Sequence, residues 1–104
     1  MDAIVSKFIR ASQGLKSKIK LIYLFGSRAR GDEKPYSDYD LLLIVKENFT
    51  LADKDALYDG VMDVLLATGA VLSLKIFKES EFSRLRKLGT PFMQNVLREG
   101  IKVG

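Results

Sequence analysis

IKLIYLFGSRARGDEKPYSDYDLLLIV, residues 19–45, consists of two apolar runs joined by a polar bridge. The first run, Ile19 to Phe25, is rich in β-formers and apolar on both faces, and as a helix it would last only two turns. It reads as a buried central strand that ends at Gly26. The bridge, Arg28 to Ser37, is dense in Arg, Gly, Asp, Glu, Lys and Pro and reads as a short helical turn followed by a solvated loop through Pro35. Asp38 to Val45 (DYDLLLIV) opens on alternating acids and ends wholly apolar. That is the pattern of a strand whose body is buried and whose N-terminal tip reaches the surface.

Outward from this pair, residues 2–13 set Ile4, Val5, Phe8, Ile9 and Ser12 on one face and predict an amphipathic helix stopping near Gly14. Downstream, Thr50 and Asp53 resemble a capping box with Asp in place of Glu. The helix they open has Leu51, Leu57, Tyr58, Val61, Met62, Leu65 and Leu66 as its expected core stripe and ends at Gly69. Val71 to Phe77 is a third strand, with Leu72, Leu74 and Ile76 on one face and Val71, Ser73, Lys75 and Phe77 on the other. Ser80 is placed to cap a helix over Glu81 to Leu88, Gly89 to Pro91 breaks it, a further helix covers about Phe92 to Glu99, and Gly100 leads to a short strand, Ile101 to Val103. The order αβαβαβααβ shows no repeat, low-complexity tract or linker. It predicts an α/β (α+β) fold in a single domain, residues 1–104, with a sheet of three or four strands flanked by helices.

Composition removes several chemistries. The 104 residues include neither Cys nor His, which excludes disulfide frameworks, thiolate nucleophiles, zinc ribbons, Ser-His-Asp triads and HExxH sites. Carboxylates are left as the candidates for acid, base or metal chemistry. A net charge of +4 and a pI near 9.4 lean toward anionic partners. No run of five like charges occurs, and the aromatics mostly fall at positions the periodic pattern buries, so a nucleic-acid-binding role is not favoured. The longest apolar stretch, Leu41 to Val45, is far short of the roughly 20 residues that cross a bilayer. The N-terminal stretch interleaves Asp2, Lys7 and Arg10 with its apolar residues and lacks the contiguous segment of a signal peptide. A cytoplasmic protein without membrane contact is the expectation.

Asp38 and Asp40 lie two apart on the predicted strand, so their side chains leave one face with Cα atoms roughly 6.5 Å apart. Two carboxylates at an exposed strand tip suit Mg²⁺, a hard ion that takes oxygen ligands and shares itself with substrate phosphates. They are equally compatible with loop-edge acids that are solvated or paired with Arg28, Arg30 or Lys34. Gly26-Ser27 sits where a buried strand gives way to a helical turn, a place where free backbone N–H groups attract phosphate. It also reads as a tight turn with Ser27 as N-cap. What shifts the balance is the conjunction. At residue frequencies of roughly 5 to 7%, the four fixed positions coincide by chance on the order of once in a thousand chains of this length.

The conjunction, GSRARGDEKPYSDYDLLLIV, resembles the minimal nucleotidyltransferases of the DNA polymerase beta superfamily, whose signature is Gly-Ser, about ten residues, then Asp-x-Asp. The resemblance extends over nearly the whole chain, because the leading helix, the strand into Gly-Ser, the helix after the acidic strand and the third strand fall in that family's order. It implies a polymerase-beta-like nucleotidyltransferase fold, with a mixed three- or four-stranded sheet, and a Mg²⁺-dependent nucleotidyltransferase. Asp38 and Asp40 would be its catalytic and metal-binding residues. Gly26 and Ser27 would cradle the triphosphate of a nucleotide, ATP by preference, with Arg28 or Arg30 as phosphate contacts unless these arginines face solvent or pair with Asp32, Glu33 or Asp38. It further implies transfer of AMP to a hydroxyl of a partner protein or other acceptor, and pairing with a helical HEPN-type partner as the antitoxin half of a toxin–antitoxin pair.

One departure qualifies these expectations. Members of that family typically carry a further carboxylate on the third strand, where this chain has Ser73 and Lys75. Asp63, Glu79 or Glu81 from neighbouring elements, or an acid from a partner, could complete the set. The alternative expectation is a catalytically impaired domain that acts on its partner by contact alone.

Overall fold

The computed structural model describes residues 2–35 and 37–104. The two runs that frame the opening stretch form β1 (Ile19–Phe25) and β2 (Tyr39–Val45), the middle strands of a four-stranded sheet. With β3 at Leu72–Lys78 and β4 at Ile101–Lys102, the strand order is β3-β2-β1-β4. β1 is antiparallel to both of its neighbours, and β2 is parallel to β3. The sheet is therefore mixed, as expected, with four strands.

Every residue from Leu41 to Val45 is buried because helices cover both faces of β2. Leu41, Leu43 and Val45 pack with Ile22, Leu24, Leu72 and Leu74 beneath α1 (Ala3–Ala11) and α3 (Leu51–Thr68). Leu42 and Ile44 pack on the other side with Phe82 of α4 (Glu79–Leu88) and with Met93 and Val96 of α5 (Pro91–Glu99). An uninterrupted apolar run is what a strand covered on both faces requires. The short α2 (Ser27–Arg30) follows β1 directly. No helix among the described residues is long and apolar enough to cross a membrane.

Three expectations are corrected. The first helix ends at Ala11, and a 3₁₀ turn, Gln13–Lys18, carries the chain past Gly14 to β1. Ser12 marks the change by donating its hydroxyl to the Ile9 carbonyl. In α3 the buried positions are Leu57, Gly60 and Val64, while Leu51, Tyr58, Met62 and Leu66 are exposed. The helix approaches α1 at its smallest residue: a Cβ on Gly60 would lie 3.4 Å from the Ala11 Cβ. The stripe is thus centred on a residue that carries no hydrophobic signal. Ser80 lies inside α4, whose first free amide, that of Lys78, donates to the Glu81 carboxylate at 3.1 Å. The Ser80 N–H and hydroxyl instead donate to Glu47 at 3.0 and 2.7 Å. The capping box holds as read, with Asp53 N–H donating to Thr50 Oγ1 at 3.1 Å and Thr50 N–H to Asp53 Oδ2 at 2.8 Å.

Candidate functional site

At the end of the sheet where β1 finishes and β2 and β3 begin, Phe25 pairs with Asp40 and Asp40 with Ser73. Asp40 shares its face of β2 with Leu42 and Ile44, so it opens on the side covered by α4 and α5. Gly26 leaves β1 at φ 75°, ψ −157°, backbone territory that essentially only glycine occupies. A Cβ there would lie 2.5 Å from the Asp40 Oδ2. The missing side chain and the unusual backbone therefore serve one contact, the approach of the acidic strand to the Gly-Ser turn.

Gly26 is the N-cap of α2 and Ser27 its first residue, so Ser27 does not cap with its side chain. Its hydroxyl takes part in none of the hydrogen bonds found among the described residues, and the first amides of the helix have no intrahelical acceptor. Asp38 lies just outside β2, exposed, at a groove of ≈ 420 Å³ that Arg28, Ser37, Thr68 and Ala70 also line. Asp38 and Asp40 likewise accept no hydrogen bond and join no ion pair among the described residues. The fold raises the pKa of Asp40 above the usual carboxylate range, first by burial and then through the charge of Asp38, with Lys75 and Arg30 opposing. Asp38 is thus close enough to disfavour the ionisation of Asp40, and the oxygens of both are free. A donor set of two hard, unsatisfied carboxylates fits a divalent cation that completes its shell with water and phosphate oxygens. Among the described residues no group of three such ligands occurs.

The third-strand departure persists in space. Ser73 is the register partner of Asp40, and Lys75, opposite Leu42, shares its face. Glu79 and Glu81 follow the far end of β3, where Lys78 pairs with Val45, roughly 16 Å along the strands from Asp40. Asp63 lies on α3 beside Lys7 and Arg10, on the opposite side of the sheet. None of the three joins the pair.

The two arginines are engaged elsewhere. Arg28 donates through Nε and Nη2 to the Ser37 carbonyl at 3.3 and 2.9 Å, and its guanidinium lies 4.3 Å from the centroid of the Tyr39 ring. It holds the returning loop against β2. Arg30 binds Asp32 and Glu99, each at 3.3 Å, which ties α2 to α5. These acids, Asp32 first, raise its already high pKa. The Arg30–Asp32 pair is local and readable from sequence, but the other two bonds are not, since the acceptor for Arg28 is a backbone carbonyl and Glu99 lies 69 residues from Arg30.

The profile of the Polymerase beta, Nucleotidyltransferase family matches residues 8–103. Two proteins of Methanocaldococcus jannaschii are similar over most of their length. "Putative protein adenylyltransferase MJ0604" is 34% identical over 100 residues, covering 95% of this chain and 93% of its own. "Putative protein adenylyltransferase MJ0141" is 34% identical over 89 residues, covering 86% and 83%. Among solved structures, one described as a putative minimal nucleotidyltransferase superposes with a TM-score of 0.62 at 25% identity, covering 97% of this chain and 95% of that one. A chain of a toxin–antitoxin structure with AMP-PNP gives the same TM-score at 23% identity, covering 93% of this chain and 69% of that one, a likeness of fold. With its fold, its Gly-Ser turn and its acidic strand in this arrangement, the chain belongs to the polymerase beta nucleotidyltransferase family.

Proposed function

We propose that the chain is a protein adenylyltransferase that uses ATP and Mg²⁺ to place AMP on a hydroxyl of a partner protein, with the partner a helical HEPN-type protein paired with it as toxin and antitoxin. The observation that carries this reading is the Asp40 carboxylate set against Gly26, where any side chain would collide with it. Asp40 thereby lies against the turn whose free amides suit phosphate, with Asp38 two residues before it. Asp38 and Asp40 are the residues that would hold the cation, and Gly26 and Ser27 those that would receive the triphosphate. When bound, Mg²⁺ would neutralise phosphate charge and align the reacting oxygens. In the transfer, the acceptor hydroxyl oxygen forms a bond to the α-phosphorus while the bond from that phosphorus to the β-phosphate bridging oxygen breaks. Pyrophosphate leaves with the electron pair and the hydroxyl proton passes to solvent. The adenylyltransferase names of both M. jannaschii relatives support the reaction class. The toxin–antitoxin assemblies in which similar folds occur support a protein acceptor.

A second reading, contact alone, is favoured by Ser73 and Lys75 standing where a further carboxylate would be. One experiment separates the two. The chain is incubated with labelled ATP, Mg²⁺ and the product of its adjacent reading frame, beside Asp38→Ala, Asp40→Ala and Gly26→Ala variants. The enzyme reading expects label on the partner with wild type and its loss in all three variants. It is abandoned if wild type transfers no label while wild type and variants silence the partner equally.

A further inference from the structure

The arginines expected to meet the phosphates are taken up by the protein itself, Arg28 by Ser37 and Tyr39 and Arg30 by Asp32 and Glu99. Lys75 is not. It is exposed, and it takes part in none of the ion pairs found among the described residues. The parallel register puts Ser73 beside Asp40 and Lys75 beside Leu42, so Lys75 and Asp40 lie on one face of the sheet. Their Cα atoms are roughly 8 Å apart by strand rise and spacing. A lysine stem bridges that span. An edge-strand lysine that only solubilised the sheet would serve equally well facing away from the acids. We propose that Lys75 is a phosphate-binding residue of the nucleotide site, so that this chain faces the triphosphate with one divalent cation on Asp38 and Asp40 and one ammonium.

This inference rests on the nucleotide-site reading above. An ammonium is a compact point charge with three donors that binds phosphate without a metal bridge. A lysine near the acid pair therefore supports triphosphate binding even when divalent cations are removed. If its role were only to neutralise the acid pair, its removal would strengthen metal binding, and any loss of AMP-PNP affinity in EDTA would be small and screened by salt.

The test is equilibrium binding of AMP-PNP by calorimetry, in EDTA and in Mg²⁺, to wild type, Lys75→Met and Lys75→Arg, with adenosine as the phosphate-free control. The expected result in EDTA is a Kd for AMP-PNP about tenfold weaker in Lys75→Met, or ~1.4 kcal/mol, with Lys75→Arg within about threefold of wild type and adenosine unchanged. Lys75→Met binding AMP-PNP within twofold of wild type, or more tightly, overturns the proposal. If that happens while wild type still labels its partner and Asp38→Ala does not, the Lys75 assignment alone falls. If wild type binds AMP-PNP in neither condition, the nucleotide-site reading falls with it.

Discussion

Asp40 is held half-buried between Gly26 and Ser73, beside a second acid, with its pKa raised first by burial and then by Asp38. Ionising it therefore works against folding. Below about pH 4 the carboxyl is protonated in folded and unfolded chains alike and the penalty is absent. The penalty grows as pH rises toward the raised folded value and is complete above it. Asp40→Asn, similar in shape and neutral, should thus melt at a higher temperature than wild type at pH 7 in EDTA, with the gap closing toward pH 4. Mg²⁺ should raise the melting temperature of wild type and not of the variant. A gap of equal size at both pH values, measured by thermal unfolding, would remove the electrostatic account of the site. The place of Asp40 was legible in the sequence because the apolar run after it marks a strand tip and the Gly-Ser turn supplies a counterpart, whereas Asp38, expected on the same strand face, falls just before the strand. The surroundings of the acids were not legible, since the hold on Arg28 is a main-chain oxygen and the neighbourhood of Asp40 depends on β-register.

At the level of elements, α3 shows how a legible helix can conceal its packing face. Its start and stop were readable because Thr50, Asp53 and Gly69 act through local backbone geometry. Its buried face was not, because the helix carries apolar residues on more than one side and the contact with α1 centres on Gly60. Leu51 and Leu66 are 74% and 78% exposed, whereas Leu57 is fully buried. Leu57→Ala should therefore lower stability by about 2 to 5 kcal/mol, the range for a truncated core leucine. Leu66→Ala should stay within about 0.5 kcal/mol of wild type, as surface changes do. Urea unfolding decides between the faces, and similar losses in both variants would restore the stripe expected from the apolar pattern.

Across the whole molecule the sheet divides labour between its sides. α1 and α3 cover the face of Leu41, Leu43 and Val45, and α4 and α5 cover the face from which Asp40 projects. The chain's order of elements was enough to anticipate a sheet of three or four strands covered by helices, but the assignment of helices to faces depends on long-range contacts that periodicity does not encode. One such contact is the edge-to-face pair of Phe92 in α5 and Phe25, with ring centroids 5.6 Å apart and planes at 87°. Phe25 is both the register partner of Asp40 and the residue before Gly26, so α5 steadies the turn through it. Stability and ligand affinity should then separate by side. Val64→Ala, which empties a buried position beneath α3, should lower stability by about 2 kcal/mol for its two lost methyl groups. While the variant stays folded, its AMP-PNP affinity should remain within twofold of wild type, because the altered packing lies across the sheet from the acids. Phe92→Ala removes an edge contact of about 1 kcal/mol together with the burial of a ring that is 36% exposed, so its loss of stability should be at least as large. If steadying the turn contributes to binding, that same contact is worth about fivefold in AMP-PNP affinity. Denaturant unfolding and nucleotide titration of the two variants, run below both transitions, check that affinity falls only on the side of the acids. Loss of affinity in proportion to loss of stability in both would show that the two sides of the sheet act as one.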